Sequence, residues 1–203
     1  MSLLQAQSQA TIRRIQDAAR TLFLQRSYAD VSMSDIAQSA ALTKGALYHH
    51  FRSKESLYLE MMHADLDSKR TLFLSAIEEP GSTRDRLARL TLAYFSLPAS
   101  QRDLIRLVRR DNNVFEEPLR SALVAAYQRA LPEPVETVLR EGIHRGEIAP
   151  TDPRLLSWQY VALVETALSP HADRVLPTAK EKVAYTLSLF LEGSIGDSNA
   201  KDS

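Results

Sequence analysis

The chain has 203 residues, a formal net charge of zero, 44% hydrophobic and 25% charged residues, and no cysteine. This is the composition of a globular protein, and it excludes disulfides, thiolate zinc sites and cysteine nucleophiles together. No apolar run reaches the roughly 18 residues of a membrane helix, and charges run through the first thirty residues, so a cytoplasmic protein without a signal peptide or membrane contact is expected.

Apolar residues recur at helical spacing from the start of the chain. Ile12, Ile15, Ala18, Ala19, Leu22 and Phe23 form a first stripe. Ser32-x-x-Asp35 has the form of a capping box and predicts a short helix to about Ala40, with Ile36 and Ala37 turned inward. Ala41-Leu42 makes a tight turn, and Thr43 caps a second short helix through Phe51 with Ala46, Leu47 and Phe51 on its buried side. A longer helix with Leu57, Met61, Ala64 and Leu72 follows. Ser82-x-x-Asp85, Ser100-x-x-Asp103 and Thr178-x-x-Glu181 are further capping boxes, and Pro118, Pro134 and Pro153 stand where a helix would have its first residue. Behind these marks lie the stripes Leu87–Tyr94, Leu104–Val108, Leu119–Ala130, Val135–Leu139, Leu155–Leu163 and Val183–Leu191.

No segment alternates with period two, so the expected fold class is all-α. The expected division is a compact N-terminal unit, 1–53, a longer helical domain, 54–193, and a polar flexible tail, 194–203. Residues 1–60 hold seven basic against five acidic side chains, a weak local excess.

Two short helices joined by a tight turn form a helix-turn-helix, whose second helix enters the DNA major groove. Gly45 near the start of that helix costs about 1 kcal/mol of propensity, and close approach to DNA would be its use. Thr43, Lys44 and the amides of the first turn point toward the groove. Tyr48, His49, His50 and Lys54 extend along the outer side, within reach of phosphate oxygens.

Ser32-Met33-Ser34-Asp35-Ile36-Ala37, Leu42-Thr43-Lys44-Gly45-Ala46-Leu47-Tyr48-His49-His50-Phe51 and Ser53-Lys54-Glu55-x-Leu57 together resemble the signature of the TetR family of one-component transcriptional regulators. The lead helix Ile15-x-x-Ala18-Ala19-x-x-Leu22-Phe23 and Tyr28-x-x-Val31-Ser32 fit the same pattern, so the resemblance spans about residues 11–60. Ala41 departs from it, since the family usually has glycine in the turn. Alanine at positive φ costs on the order of 1 kcal/mol, so a slightly re-formed turn is expected.

The resemblance implies a homodimer with an N-terminal three-helix DNA-binding domain and a C-terminal helical domain that binds a small-molecule effector. Carried over by position, it implies DNA contacts at Ser34, Thr43, Lys44, Gly45, Tyr48, His49, His50 and Lys54, with Lys44 and Gly45 at base edges. It also implies an effector pocket among the middle helices, for which Tyr94, Phe95, Arg106, Phe115, Tyr127 and Trp158 are the candidate lining residues. The last two long helices make the family's dimer interface, here residues 153–169 and 178–192, whose stripes are wide and include Ala162 and Ala167. Leu139–Ile148 resembles the multidrug-regulator-like, AcrR-type branch. A ligand-responsive repressor released from a palindromic operator is the expected function.

Other chemistries fit less well. His49 and His50 diverge by about 100° on a helix and do not chelate one metal. Glu60-x-x-His63 and Glu141-x-x-His144 lack the accompanying single glutamates of a di-iron bundle. There is no nucleophile elbow and no phosphate-cradling glycine loop. The expectation is therefore no catalysis, no metal and no cofactor. Glu165, in an apolar stretch, either lies at the stripe's edge or meets a partner across the dimer. Arg102, Arg106, Arg109, Arg110 and Asn113 share a helical face that is either solvated or brings one of Arg106 and Arg109 to a ligand carboxylate or a buried acid.

Overall fold

The computed structural model describes residues 3–103, 107 and 110–193. Its helices are α1 (Leu3–Gln25), α2 (Met33–Ser39), α3 (Lys44–His50), α4 (Lys54–Glu78), α5 (Thr83–Phe95), α6 (Ala99–Arg102), α7 (Leu119–Ala130), α8 (Pro132–His144), α9 (Pro153–Thr166), α10 (Pro170–Val175) and α11 (Ala179–Leu191), with a 3-10 turn at Asn112–Val114. No strand occurs among the described residues. The tail 194–203 and the residues Leu104, Arg106, Val108 and Arg109 lie outside the described residues.

The chain packs as two compact units. Residues 1–68 and 98–127 make the first, and 69–97 and 128–203 the second. The chain therefore crosses between units within α4, at Leu97–Pro98 and within α7.

In the first unit α2 packs on both α1 and α3. Ile15, Ala19, Phe23, Ile36, Leu47, Phe51, Leu57 and Met62 are buried together as its core. The first turns of the two short helices are fastened by side chains. Ser32 and Asp35 form a complete capping box on α2, and Thr43 caps α3.

In the second unit α8 packs on α9 and on α5, and α5 packs on α11. Phe73, Leu87, Tyr94, Val135, Val138, Leu139, Tyr160 and Leu187 fill its interior. The last carbonyls of α4 are taken by arginines of α5: Arg86 Nε donates to Ile77 at 3.0 Å and Arg89 Nε to Ala76 at 3.1 Å. These are orphan acceptors of a helix end. Gly142 of α8 lies against Thr83, and the Thr83 amide donates to Glu147 at 2.5 Å, so the start of α5 is tied to the end of α8.

Four local expectations change. Ser100 caps nothing, because α6 begins at Ala99 behind Pro98 with no side-chain cap. Pro134 is third in α8, and Pro132 takes the first position. Pro118 precedes α7 and is not its first residue. In α4, Ala64 is exposed and Leu72 half-buried; Tyr58, Met62, Leu66, Phe73 and Ile77 carry the buried face with Leu57 and Met61.

Candidate nucleic-acid interface

The turn between α2 and α3 is set by three hydrogen bonds. The Ala40 amide donates to Ile36, the Ala41 amide to Gln38 and the Leu42 amide to Ala37. The last two are the paired bonds of a Schellman motif, which needs a left-handed residue between them. That residue is Ala41, at φ 51°. The turn has kept the conformation that favours glycine, and was not re-formed around the alanine.

The Thr43 hydroxyl oxygen then accepts the Ala46 amide at 3.1 Å and starts α3. Leu47 is fully buried, and Phe51, at the C-cap, is 2% exposed, so these two residues anchor the helix. Thr43, Lys44, Gly45, Tyr48 and His49 are exposed, as is Ser34 on α2, while His50 is half-buried. At 100° per residue Lys44, Tyr48, Gly45 and His49 fall within an arc of about 140°. A Cβ added at Gly45 would meet nothing within 4 Å. Neither packing nor a positive φ asks for glycine there.

Lys54 stands apart from the other expected contacts. Its ammonium donates to the Tyr28 carbonyl at 2.7 Å and lies 4.2 Å from the centre of the Tyr28 ring. It ties the start of α4 to the loop after α1.

The first unit also holds a cluster that the sequence did not announce. Tyr58 packs edge-on to Phe23 at 5.0 Å, and Phe115 contacts both Tyr28 and Tyr58. Asp111 is 2% exposed, and its carboxylate accepts the Tyr58 hydroxyl at 3.0 Å. Arg110 grips the same carboxylate with Nε at 2.8 Å and Nη2 at 2.9 Å, and Nη2 also donates to the Phe23 carbonyl at 2.9 Å. Burial, with Asp111 beside it, pushes the Tyr58 phenol well above the ordinary tyrosine range. Tyr28 is pushed up to about 12, first by burial and then by Glu55 and Asp111. The hydrogen bond to Asp111 raises Arg110 further still. Only the break of sign in Arg109-Arg110-Asp111 hints at this in the sequence. It does not reveal that the acid is buried.

The candidate pocket residues are distributed over both units. Phe115 and Tyr127 belong to the first, Tyr94, Phe95 and Trp158 to the second, and Arg106 lies outside the described residues. Phe115 is committed to the aromatic cluster just described. Tyr94 meets Phe73 edge-on at 5.7 Å and stacks on Phe95 at 6.2 Å. Beside it lies an apolar cavity of about 20 Å³, with half-buried Glu165 at its wall, room for one water. A larger apolar groove, about 360 Å³, runs among α9, α10 and α11 and is lined by Leu163, Ala172, Leu176, Tyr185 and Leu189. On these helices Leu155, Val175 and Tyr185 are each more than half exposed.

Residues 15–61 match the family model for bacterial regulatory proteins of the tetR family. The chain is 28% identical over 150 residues to the HTH-type transcriptional regulator UidR of Escherichia coli K12, covering 74% of this chain and 75% of that one. Two solved structures share the fold. The regulator FadR from Bacillus subtilis, in complex with stearoyl-CoA, superimposes with a TM-score of 0.76 at 21% identity, covering 90% and 99% of the two chains. AibR, in complex with isovaleryl coenzyme A and operator DNA, does so with a TM-score of 0.76 at 20% identity, covering 89% and 98%. The family match thus lies on the segment that holds α2 and α3, and the likeness to UidR extends over about three quarters of the chain.

Proposed function

We propose that this TetR-type regulator is a homodimeric, effector-responsive repressor that reads a palindromic operator with α3. The observation that carries the reading is α3 itself: one face anchored by Leu47, the opposite arc offering Lys44, Gly45, Tyr48 and His49 to solvent. In this reading residues 1–53 bind DNA in the cytoplasm, and 54–193 sense the effector and dimerise. Lys44 and Gly45 meet base edges, while Ser34, Thr43, Tyr48, His49 and His50 meet the backbone. Lys54, held on Tyr28, reaches a phosphate only with its remaining protons. A second copy covers α9 and α11 through 153–169 and 178–192, burying the exposed Leu155 and Tyr185. The two reading helices of such a dimer lie about 34 Å apart, one turn of DNA.

The effector is a small molecule taken up by the second domain. Acyl-CoA thioesters are the first class to test, because two proteins of the same fold carry one. The AcrR-type branch would instead predict release by lipophilic multidrug-type compounds. It rests on Leu139–Ile148 alone, where Gly142 serves packing and Gly146, at φ 74°, the helix stop.

DNA selected from a random pool by the purified dimer supplies the assay. Lys44→Ala and Tyr48→Ala should each weaken binding by about tenfold, as expected for lost contacts of 1–3 kcal/mol, with dimer and melting temperature unchanged. Wild-type affinity should fall steeply with salt. A flat salt response, or variants that unfold, overturns the contact assignments. Release of that DNA by acyl-CoA, and not by lipophilic dyes, would decide between the effector classes.

A further inference from the structure

The buried carboxylate of Asp111 belongs to no part of the reading surface, yet it is held by three hydrogen bonds. A buried charge costs several kcal/mol unless it is paired and hydrogen-bonded. The stretch that carries it therefore has few alternative positions. Through Arg110 it reaches the Phe23 carbonyl, one of the last four of α1 and an acceptor otherwise without a partner within that helix. Through the Tyr58 hydroxyl it reaches the first turns of α4. Phe115, four residues on, lies 5.0 Å from Tyr28 and 5.1 Å from Tyr58.

Residues 110–115 thus clasp the two helices that flank α2 and α3 in the chain. α2 in turn packs on α1 and on α3. The clasp sits in the segment 98–127, which packs with the N-terminal unit but is joined at both ends to residues of the second unit. Within that segment the Arg110–Asp111 pair is the polar tie to both α1 and α4.

We propose that Arg110 and Asp111 are positioning residues for DNA recognition: they fix the end of α1 to the start of α4, set the presentation of α3, and pass displacement of the 98–127 segment to it. The proposal rests on the reading of α3 as the DNA-binding helix. Packed cores switch between discrete arrangements and do not deform continuously, so loosening the clasp should alter how α3 is presented without dismantling the helices.

The test uses the full-length dimer with Asp111→Asn, Tyr58→Phe and the double variant. Tyr58→Phe keeps the ring in place and removes only the hydroxyl bond, so it stays informative if Asp111→Asn fails to fold. Each single variant should lose roughly three- to thirtyfold in affinity for DNA selected by the wild type, the range for coupling residues that touch neither ligand. The double variant should lose less than the product of the two, because both weaken the hydrogen-bond network on the same buried group. A fall in melting temperature with unchanged affinity per folded dimer would make the clasp merely structural and overturn the proposal. Amide hydrogen exchange without DNA gives an independent reading. Residues 44–50 should exchange faster in Tyr58→Phe, and a change confined to residues around 58 and 111 would sink the idea. If the wild type selects no DNA, the reading of α3 fails, while the exchange result still judges the clasp.

Discussion

Ala41, at φ 51°, bears the strain of a left-handed residue that Gly146 at φ 74° bears freely. Both stand one residue past a helix C-cap, and both motifs make the same pair of backbone bonds. Ala41→Gly should therefore raise stability by about 1 kcal/mol, read as a shift of the urea midpoint at constant slope. Four residues on, Gly45 presents the reverse case. Its surroundings are open and its helix would prefer alanine, so Gly45→Ala should stabilise the fold by about 1 kcal/mol. The same variant should weaken operator binding in a gel-shift titration. Equal DNA affinity for Gly45→Ala and wild type would remove the argument that the glycine clears space for DNA.

At the scale of elements, helix ends are fastened by a few reused devices. Ser32, Ser82 and Thr178 each form a complete capping box with the acid three residues on. α5 does more, since Arg86 and Arg89 close the end of α4 while its first turn is pressed on α8. At Gly142 an added Cβ would overlap Thr83 Oγ1 and come within 3.2 Å of Ile148 Cγ1. Gly142→Ala should cost about 1–3 kcal/mol, the usual penalty of overpacking, and Thr83→Ala in the same chain should recover part of it. Thermal denaturation of the two variants checks both statements. Such close approaches join residues far apart in the chain, so no local pattern marks Gly142 as a packing glycine.

Across the whole molecule, carboxylates set the acid limit. Backbone and side-chain hydrogen bonds from Ser32 hold Asp35 below the usual range, and Ser82 and Thr178 do the same for Asp85 and Glu181. Glu147 is held at about 2 by Arg145 and then by Thr83. A depressed carboxylate binds more protons when unfolded, so its contribution is complete above the unfolded value of about 4.3 and is lost as pH falls toward 2. Urea midpoints should drop steadily over that window, and Glu147→Gln should flatten the lower part of the curve. The alkaline limit has the opposite sign. Tyr28, raised to about 12, keeps its proton in the fold after the unfolded chain has lost it near 10. Stability should fall between pH 10 and 12, and Tyr28→Phe should reduce that fall.

The helical class, the caps at Ser32, Thr43, Ser82 and Thr178, and the helix-turn-helix with buried Leu47 and Phe51 were legible in the chain. All depend on neighbours within about four residues, which is the reach of periodicity and capping. The sequence also placed Lys44, Gly45, Tyr48 and His49 on the outer arc, because a helix with one buried anchor has a determined outside. Only the tertiary structure decided that Lys54 turns back onto Tyr28, that Asp111 is buried against Tyr58, and that residues 98–127 pack with the N-terminal unit. Those contacts join residues 26, 53 and 87 positions apart. At such separations the partner of a charged side chain is chosen by which surfaces the packed helices bring together, and no local pattern records that choice.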